Sequence, residues 1–569
     1  MITRTYSADF ETNNHADGCH VWEWGLTAVK EDAEINDVAT GDELAEFMAR
    51  IERLAPCTVY FTNLRFDGHF ILDFLFSHGF EFTEDRNPKA GQFGCTISEQ
   101  GEFFNIRVAY KDKGKRVKVV EFRDSLKIIP MGIAEMAESF GLDIQKIEEP
   151  DDFYNKNRPA GYKATEEERT YVKTDVVIMA RCLAQMLERG FEKMTIGSNA
   201  IEFYKKQSED FALFTGANGA DEFLRRAYKG GWCYVNPNAQ KAEQGEGFVL
   251  DINSMYPYIL RNRLLPYGTP IYYKGKFNIL LSERFPLYVQ HIRCEFELKE
   301  GYLPFIQLKG NYGYQQTEYV TSTDLEQEDL WLTNKDLELF FEHYNVDNIE
   351  YVDGYMFHAK MGMFNDYIDY WYEEKKQAGR EGNKGKRQIA KLFLNNIGGK
   401  FSINPKFRNK TPYYEDGIVK FKFTEYKERE SLYLPVGIFM TSYARCYIVR
   451  AAQALGERFN YADTDSLHIT GTELPKDLLI DNEELGAFKV EAMIKRGKYL
   501  HSKCYCEEIS EDGGKTWHTK VTVAGLPHKL HGQHTYEEFK AGVVYENKLQ
   551  PKAVKGGVIL VPKDYKVGA

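Results

Sequence analysis

At 569 residues the chain is too long for one hydrophobic core and is expected to divide into roughly three to five domains. Its 43% hydrophobic and 28% charged residues are ordinary for a globular protein, with no run of eighteen apolar residues to cross a membrane and no basic-then-apolar leader. The net charge of −12 alone argues against a nucleic-acid partner. Nine cysteines are scattered singly apart from Cys504-Tyr505-Cys506, which lacks the second pair zinc would need, so they read as reduced thiols of a cytoplasmic protein.

The opening residues alternate into Ser7-Ala8-Asp9-Phe10-Glu11-Thr12, a predicted strand whose period of two puts Asp9 and Glu11 on one face. A helix is predicted at about Gly41 to Leu54. Thr58-Val59-Tyr60-Phe61 then reads as a buried strand running into Asn63-Leu64-Arg65-Phe66-Asp67-Gly68. After a β-rich stretch to Arg123, a helical segment carries Tyr171 and Asp175 on one face at i, i+4. Strands followed by helices suggest an α/β domain to about residue 190. The four carboxylates Asp9, Glu11, Asp67 and Asp175 suit two divalent metals about 4 Å apart that clamp a phosphate and activate a water, with Tyr171 to hold that water. A lone Asp-x-Glu is weak evidence, and from the residues alone Phe66 and Tyr154 read as core aromatics.

Farther on, Tyr228-Lys229-Gly230-Gly231-Trp232 permits a tight loop with close backbone approach to a ligand, although alone it is only a turn. Phe248 to Pro257 reads as a buried strand ending in Asp251, followed by a turn stopped by Pro257. The amides of Asn253 to Tyr256 are placed to cradle phosphate oxygens. From Lys375 to Lys410 eleven basic residues face one acid, Glu381, which looks like a phosphate-facing surface; a solvated basic helix face is the alternative. Two helices flank the glycine-rich turn Gly379 to Gly385, and the second puts Arg387, Lys391 and Asn395 on one face. Thr411 to Phe421 is a predicted hairpin with an Asp416-Gly417 turn. A helix from Met440 to Leu455 leads to Tyr461-Ala462-Asp463-Thr464-Asp465-Ser466. Extended backbone there would put Asp463 and Asp465 on one face, where they repel unless a cation such as Mg²⁺ or Mn²⁺ sits between them. An acidic turn at a hairpin tip explains the bare triplet equally well. Asp251 is the natural third carboxylate.

Together these segments resemble the family B DNA polymerases. Asp9 to Thr12, Asn63 to Phe70 and Tyr171 to Asp175 resemble the three motifs of the family's proofreading 3′–5′ exonuclease. Tyr228 to Gly231 resembles the segment joining exonuclease and polymerase. Asp251 to Pro257 resembles polymerase motif A, with Met255 in place of leucine, Lys391 to Asn395 motif B, Asp463 to Asp465 motif C, and Lys503-Cys504-Tyr505 the primer-holding element. The long insertion between motifs A and B, with Gln290 to Tyr302 and Asp329 to Phe340, resembles the protein-primed branch.

The resemblance implies an α/β and α+β multidomain fold: a ribonuclease H-like exonuclease domain (1–190), then a right-hand polymerase domain with two insertions. The implied parts are palm (191–305), terminal-protein insertion (306–364), fingers (365–402), processivity and strand-displacement insertion (403–430), second palm part (431–518) and thumb (519–569). It implies that Asp9, Glu11, Asp67 and Asp175 bind metal, that Tyr171 orients the water, and that Asn63, Phe66, Ser125, Leu126 and Tyr154 hold a frayed primer end. Asp251, Ile252 and Asp465 would bind metal and Asp463 would support them. Ile252, Tyr256, Lys391, Arg387, Asn395 and Lys375 would meet the nucleotide, and Tyr228, Gly230, Gly231, Ser254, Lys503 and Tyr505 the DNA. Implied cofactors are two Mg²⁺ per active site, with Mn²⁺ as a substitute. Implied partners are template-primer DNA, dNTPs and a terminal protein that pairs with an otherwise monomeric enzyme at initiation. There is no membrane, and the setting would be a viral gene product in bacterial cytoplasm. One departure stands out: Gly398 occupies the place of the family's tyrosine. That should loosen base and sugar selection, soften the helix end beside Gly399, and make Gly398→Tyr tighten nucleotide binding. Other readings are a nucleic-acid-primed family B polymerase, a nuclease with an impaired polymerase half, and a non-catalytic single-strand binder, which would leave the acids unexplained.

Overall fold

The computed structural model describes residues 4–568 apart from 16–17, 112–116, 150–152, 154–155, 217–218, 308–318 and 324–326. The N-terminal region is built on eight strands: β1 (Arg4–Thr12), β2 (Val21–Ala28), β3 (Ala39–Gly41), β4 (Cys57–Phe61), β5 (Glu81–Phe82), β6 (Gln92–Ile97), β7 (Phe103–Lys111) and β8 (Val117–Asp124), in the order β3-β2-β1-β4-β8-β7-β6-β5. The centre, β1-β4-β8, is parallel, and all five residues of β4 are buried, as a strand covered on both faces requires. Helix α1 (Leu44–Leu54) buries Phe47, Met48 and Ile51 in the same apolar cluster as Val59 and Phe61. Helices α2 (Leu64–Ser77), α3 (Ile133–Ser139) and α4 (Glu166–Glu188) follow; on α4, Val172 and Val176 pack so closely on Gly25 that a Cβ there would lie about 3 Å from both. Thr165 caps α4 by accepting from the Glu168 amide, with Glu168 answering in a capping box.

Helices α5 (Ile196–Gln207) and α6 (Asp221–Ala227), strand β9 (Cys233–Val235) and helix α7 (Pro237–Lys241) follow in order, and β10 (Gly247–Ile252) carries Asp251. Pro257 does not stop a turn: it lies within the first turn of helix α8 (Met255–Asn262), where its missing N–H would have had no partner anyway. A second sheet of four strands, β11 (Leu265–Lys274), β12 (Leu287–Leu298), β13 (Glu328–Thr333) and β14 (Tyr344–Lys360), with helix α9 (Asn334–His343), runs β11-β14-β12-β13. The boundary expected at 305/306 therefore falls inside this sheet, which takes two strands from before it.

Helices α10 (Asn365–Arg380) and α11 (Lys384–Phe401) lie side by side. Helix α11 continues through Gly398 and Gly399 to Phe401, so the expected softening of its end is not seen. Strand β15 (Lys406–Phe407) precedes the hairpin β16 (Lys410–Glu415) and β17 (Ile418–Phe423), whose Asp416 and Gly417 have φ of 55° and 76°, as a tight Asp-Gly turn requires. After β18 (Lys427–Glu428), helix α12 (Leu434–Leu455) starts before the predicted Met440 and is buried along most of its length. It underlies a seven-stranded sheet completed by β19 (Phe459–Asp463), β20 (Ser466–Thr470), β21 (Phe488–His501), β22 (Cys504–Ser510) and β23 (His518–Val523), in the order β23-β22-β21-β10-β20-β19-β9.

A last hairpin, β24 (Val544–Val554) and β25 (Gly557–Lys566), reaches back to the N-terminal region: Asn14 Nδ2 donates to the Leu560 carbonyl and Asn14 Oδ1 accepts from the Leu560 amide. Val419 and Phe421 of β17, Val558 and Ile559 of β25 and Phe70 of α2 share one apolar cluster. Tyr414 donates to Asp73 and Arg408 to Glu99. The two hairpins and the N-terminal region thus close a ring of contacts.

Candidate active sites

The first site lies in the N-terminal sheet. Strand alternation on β1 brings in Asp9 and Glu11, the first turn of α2 brings Asp67, and α4 brings Asp175. Glu11, Asp67 and Asp175 are buried. Burial first and Asp175 next push the Asp9 carboxyl up to about 7. Glu11 is raised well above the carboxylate range by burial, then by Asp9 and Asp175. Asp67 is raised the same way, by burial and then Asp9. The opposing charge is Lys146, whose Nζ lies 2.6 Å from Asp175 Oδ2 and 4.8 Å from the centre of the Tyr171 ring. No pattern in the sequence marked this lysine, which sits in a loop between helices.

Around this cluster, Asn63 is exposed in the left-handed region at φ 62°, and its amide donates to Asp124 Oδ1, which also accepts from the Leu126 amide. Asp124, missed in the sequence, ties these two loops together. Phe66 is half-buried beside Phe70. Ser125 is fully buried and donates to Thr62, so it supports the surface and does not form it. Tyr154 lies outside the described residues.

The second site sits on the seven-stranded sheet. Asp251, one residue before the end of β10, lies opposite Ser466 of β20 on one side and Lys489 of β21 on the other. Asp463 and Asp465 do not share one strand face. Thr464, at φ 61°, turns the chain, so the triplet is the tip of the β19–β20 hairpin. Hairpin tip and acid cluster are therefore one feature. The tip is pinned: the Thr464 amide donates to the Trp232 carbonyl, the Ile252 amide to the Asp465 carbonyl, and a Cβ on Gly231 would lie 2.6 Å from Thr464 Oγ1. Arg445, buried and paired with Asp336, donates to the Lys229 and Gly230 carbonyls and so fixes that glycine loop.

The two acids of the tip differ. Asp463 Oδ2 is 3.1 Å from Lys503 Nζ. Burial, then Asp251, then Asp463 push Asp465 up to about 7. Asp251 is raised by burial, against Lys489 at 3.0 Å. Tyr256 is half-buried and pushed up to about 12 by burial, with Asp465 next. The Asn253 amide donates to the Ala487 carbonyl and so cannot cradle a phosphate, contrary to expectation. Ser254, at φ 50°, caps α8, and its hydroxyl accepts from Lys375 Nζ at 3.3 Å. Arg387, Lys391 and Asn395 are exposed along α11. Tyr505 is buried among the rings of Tyr461, His468 and Tyr499 and does not face solvent.

The expected tyrosine position is filled differently: a Cβ on Gly398 would run into Met440 Sδ and lie 2.8 Å from its Cε, with Leu260 Cδ1 at 3.8 Å. A phenol ring would enter that space only with the flexible end of Met440 moved aside, so Gly398→Tyr would do more than restore a ring.

Hard oxygen donors at mutually repelling carboxylates suit Mg²⁺ or Mn²⁺. Asp67 Oδ1 and Asp175 Oδ1 are buried without hydrogen-bond partners. Among the described residues, however, no three His, Cys, Asp or Glu side chains already converge as metal ligands. Lys146, Lys489 and Lys503 share the carboxylates instead, so the donor chemistry fits the ions while the side chains as placed do not converge on one.

A family model described as DNA polymerase type B, organellar and viral, matches residues 53–158 and 147–483. The DNA polymerase of Bacillus phage phi29 is 39% identical over 587 aligned residues, spanning 100% of this chain and 99% of its own. That of Streptococcus phage Cp-1 is 32% identical over 592, spanning 100% and 99%. The solved phi29 DNA polymerase in an orthorhombic crystal form superposes with a TM-score of 0.92 at 37% identity, over 99% of this chain and 100% of its own. The phi29 enzyme complexed with primer-template DNA and incoming nucleotide substrates superposes at 0.91, with the same identity and coverage. These superpositions bear out the α/β and α+β multidomain fold class. No helix among the described residues is long and apolar enough to cross a membrane.

Proposed function

The chain belongs to the viral and organellar type B DNA polymerases, and on that premise we propose that it is a phage-encoded, protein-primed replicative enzyme that extends DNA at Asp251 and Asp465 and trims it 3′ to 5′ at Asp9, Glu11, Asp67 and Asp175. One observation carries this reading: two carboxylate clusters, each with raised carboxyls, stand on two separate sheets of one chain. One acid cluster serves one reaction, and two serve two.

At the polymerising site, two divalent ions would neutralise the phosphate under attack and lower the pKa of the attacking hydroxyl. The chain's own residues do the rest. Lys391 and Arg387, one turn apart on α11, counter the triphosphate charge. The N-terminal end of α8 and the Lys375 ammonium beside Ser254 take further phosphate oxygens. Tyr256, half-buried beside Asp465, would lie under the incoming sugar. Lys503, joined to Asp463, holds the primer strand in reach of Asp465. At the trimming site, Tyr171 beside Lys146 orients the water, and Asn63, Phe66 and Leu126 receive the unpaired end. The packing of both hairpins against the N-terminal region and each other gives a continuous surface from which processive, strand-displacing synthesis could be supported. The sheet β11-β14-β12-β13 with α9 is the surface offered to a terminal protein.

Two incubations test the proposal. With a labelled single-stranded primer, Mg²⁺ and no dNTP, the primer should shorten from its 3′ end. With a candidate terminal protein, labelled dATP and Mg²⁺, label should appear on the protein. Good extension of ordinary primers with no protein labelling would make it a nucleic-acid-primed relative, and an intact single strand would remove the trimming activity.

A further inference from the structure

Lys489 belongs to none of the segments whose motifs define the site. It lies on β21 directly across from Asp251 on β10, and its Nζ is 3.0 Å from Asp251 Oδ1. The same side chain lines a cavity of about 280 Å³ with Lys375, Lys384, Arg387 and Lys391, facing one acid, Glu138. The cations lie within electrostatic reach of each other: burial first, and then Lys489, Arg387 and Lys391, depress the Lys375 ammonium to about 8. Five cations around a small cavity with a single carboxylate are arranged for a polyanion. Lys489 thus stands between a carboxylate fitted for a divalent ion and a pocket fitted for a triphosphate.

It cannot serve both as it stands. A divalent ion on Asp251 displaces an ammonium from the same oxygen, since both are cations competing for one charge. Lysine's flexible four-carbon stem lets the displaced ammonium move while its backbone stays in the sheet. We propose that Lys489 is an exchangeable counter-ion: it neutralises Asp251 while the metal position is open, and passes to a phosphate oxygen of the incoming nucleoside triphosphate when a divalent ion takes the carboxylate. The inference rests on the proposed metal site at Asp251 and Asp465. It makes metal and nucleotide binding reinforce each other, because the ion releases the charge that the nucleotide then uses.

The test uses the full chain without DNA, so that no chemistry runs. Mn²⁺ is titrated by electron paramagnetic resonance, and dATP by calorimetry with Mn²⁺ present, on the wild type, K489M, K489Q and D251N. Loss of the competing ammonium should tighten Mn²⁺ by about two- to fivefold in both Lys489 variants, the range of a partly exposed ion pair. Loss of a charge-assisted phosphate contact should weaken dATP by about tenfold or more. The opposite signs are the signature, since a lysine that merely held the strands together would weaken both ligands when removed. K489Q keeps most of the length and polarity, so a folding defect confined to K489M does not decide the matter. If D251N loses Mn²⁺ while both Lys489 variants bind Mn²⁺ and dATP as the wild type does, the counter-ion role is overturned and the metal site stands. If D251N binds Mn²⁺ like the wild type, the metal site falls and Lys489 with it.

Discussion

In the N-terminal sheet four carboxylates meet one lysine, and Glu11, Asp67 and Asp175 are only 6%, 3% and 4% exposed. On the seven-stranded sheet three carboxylates meet Lys489 and Lys503, with Lys375, Arg387 and Lys391 nearby, and Asp251 and Asp465 remain half-open. A closed, almost purely acidic site is suited to cations. A half-open site rimmed by cations is made for a ligand that itself carries several negative charges. Charge and access thus separate the two sites before any chemistry is considered.

The sharpest way to break this comparison is to remove one cluster at a time. Asp251→Ala or Asp465→Ala should cut nucleotide addition on the order of 10³-fold or more and leave primer degradation running. Asp9→Ala with Glu11→Ala should do the reverse. Extension and degradation assays on one labelled primer read both, and two variants that each keep both activities would end the two-site reading.

A smaller effect follows from the cost of holding the acids together. Asp465 titrates near 3.8 when unfolded and is pushed up to about 7 in the fold. Below about pH 4 both states carry the proton and nothing is lost. Between about pH 4 and 7 the folded state keeps a proton that the unfolded chain releases, so stability falls as pH rises. Above about pH 7 the full cost of the buried charge remains. Asp465→Asn should therefore raise the metal-free protein's resistance to urea at pH 8 by on the order of 2–4 kcal/mol and change nothing at pH 4. Mg²⁺ should recover that stability for the wild type and not for the variant. Equal urea midpoints at pH 8 would mean that the carboxylate is not held against its charge.

Much of this was legible in the sequence because it depends on local spacing. Period-two alternation gave Asp9 and Glu11, a helical turn gave Tyr171 and Asp175, and an Asp-Gly pair gave the β16–β17 hairpin. The reading lost accuracy where long-range pairing decides. Spacing alone allows Asp463 and Asp465 to share a strand face or to sit on a hairpin tip; Thr464 turns the chain between them, and only pairing with β10 and β9 brings the tip to Asp251. Lys489 reaches Asp251 through a register between strands more than two hundred residues apart, for which no window of sequence holds a signal. Lys146 acts from a loop and Asp124 from the end of β8. Ser125 and Tyr505 carried motif letters but are buried, since a motif names a position and not the direction its side chain takes.

The smallest predicted effect concerns Gly398, where the sequence expectation was of a missing ring. In the fold α11 and α12 approach there, and the thioether of Met440 occupies the space a side chain at 398 would take. Gly398→Ala sets two terms against each other. Alanine in a helix interior gains about 1 kcal/mol over glycine, while crowding a packed contact costs about 1–3 kcal/mol, eased by methionine's three rotatable bonds. The net should be a loss of about 0–2 kcal/mol. Gly398→Tyr, with a whole ring to place, should lose more and should not improve base selection. Met440→Ala opens the space, so in a double-mutant cycle of urea midpoints the Gly398→Ala/Met440→Ala protein should be about 1 kcal/mol more stable than the two single effects add to. Strict additivity would show that Met440 does not hold the place of the tyrosine.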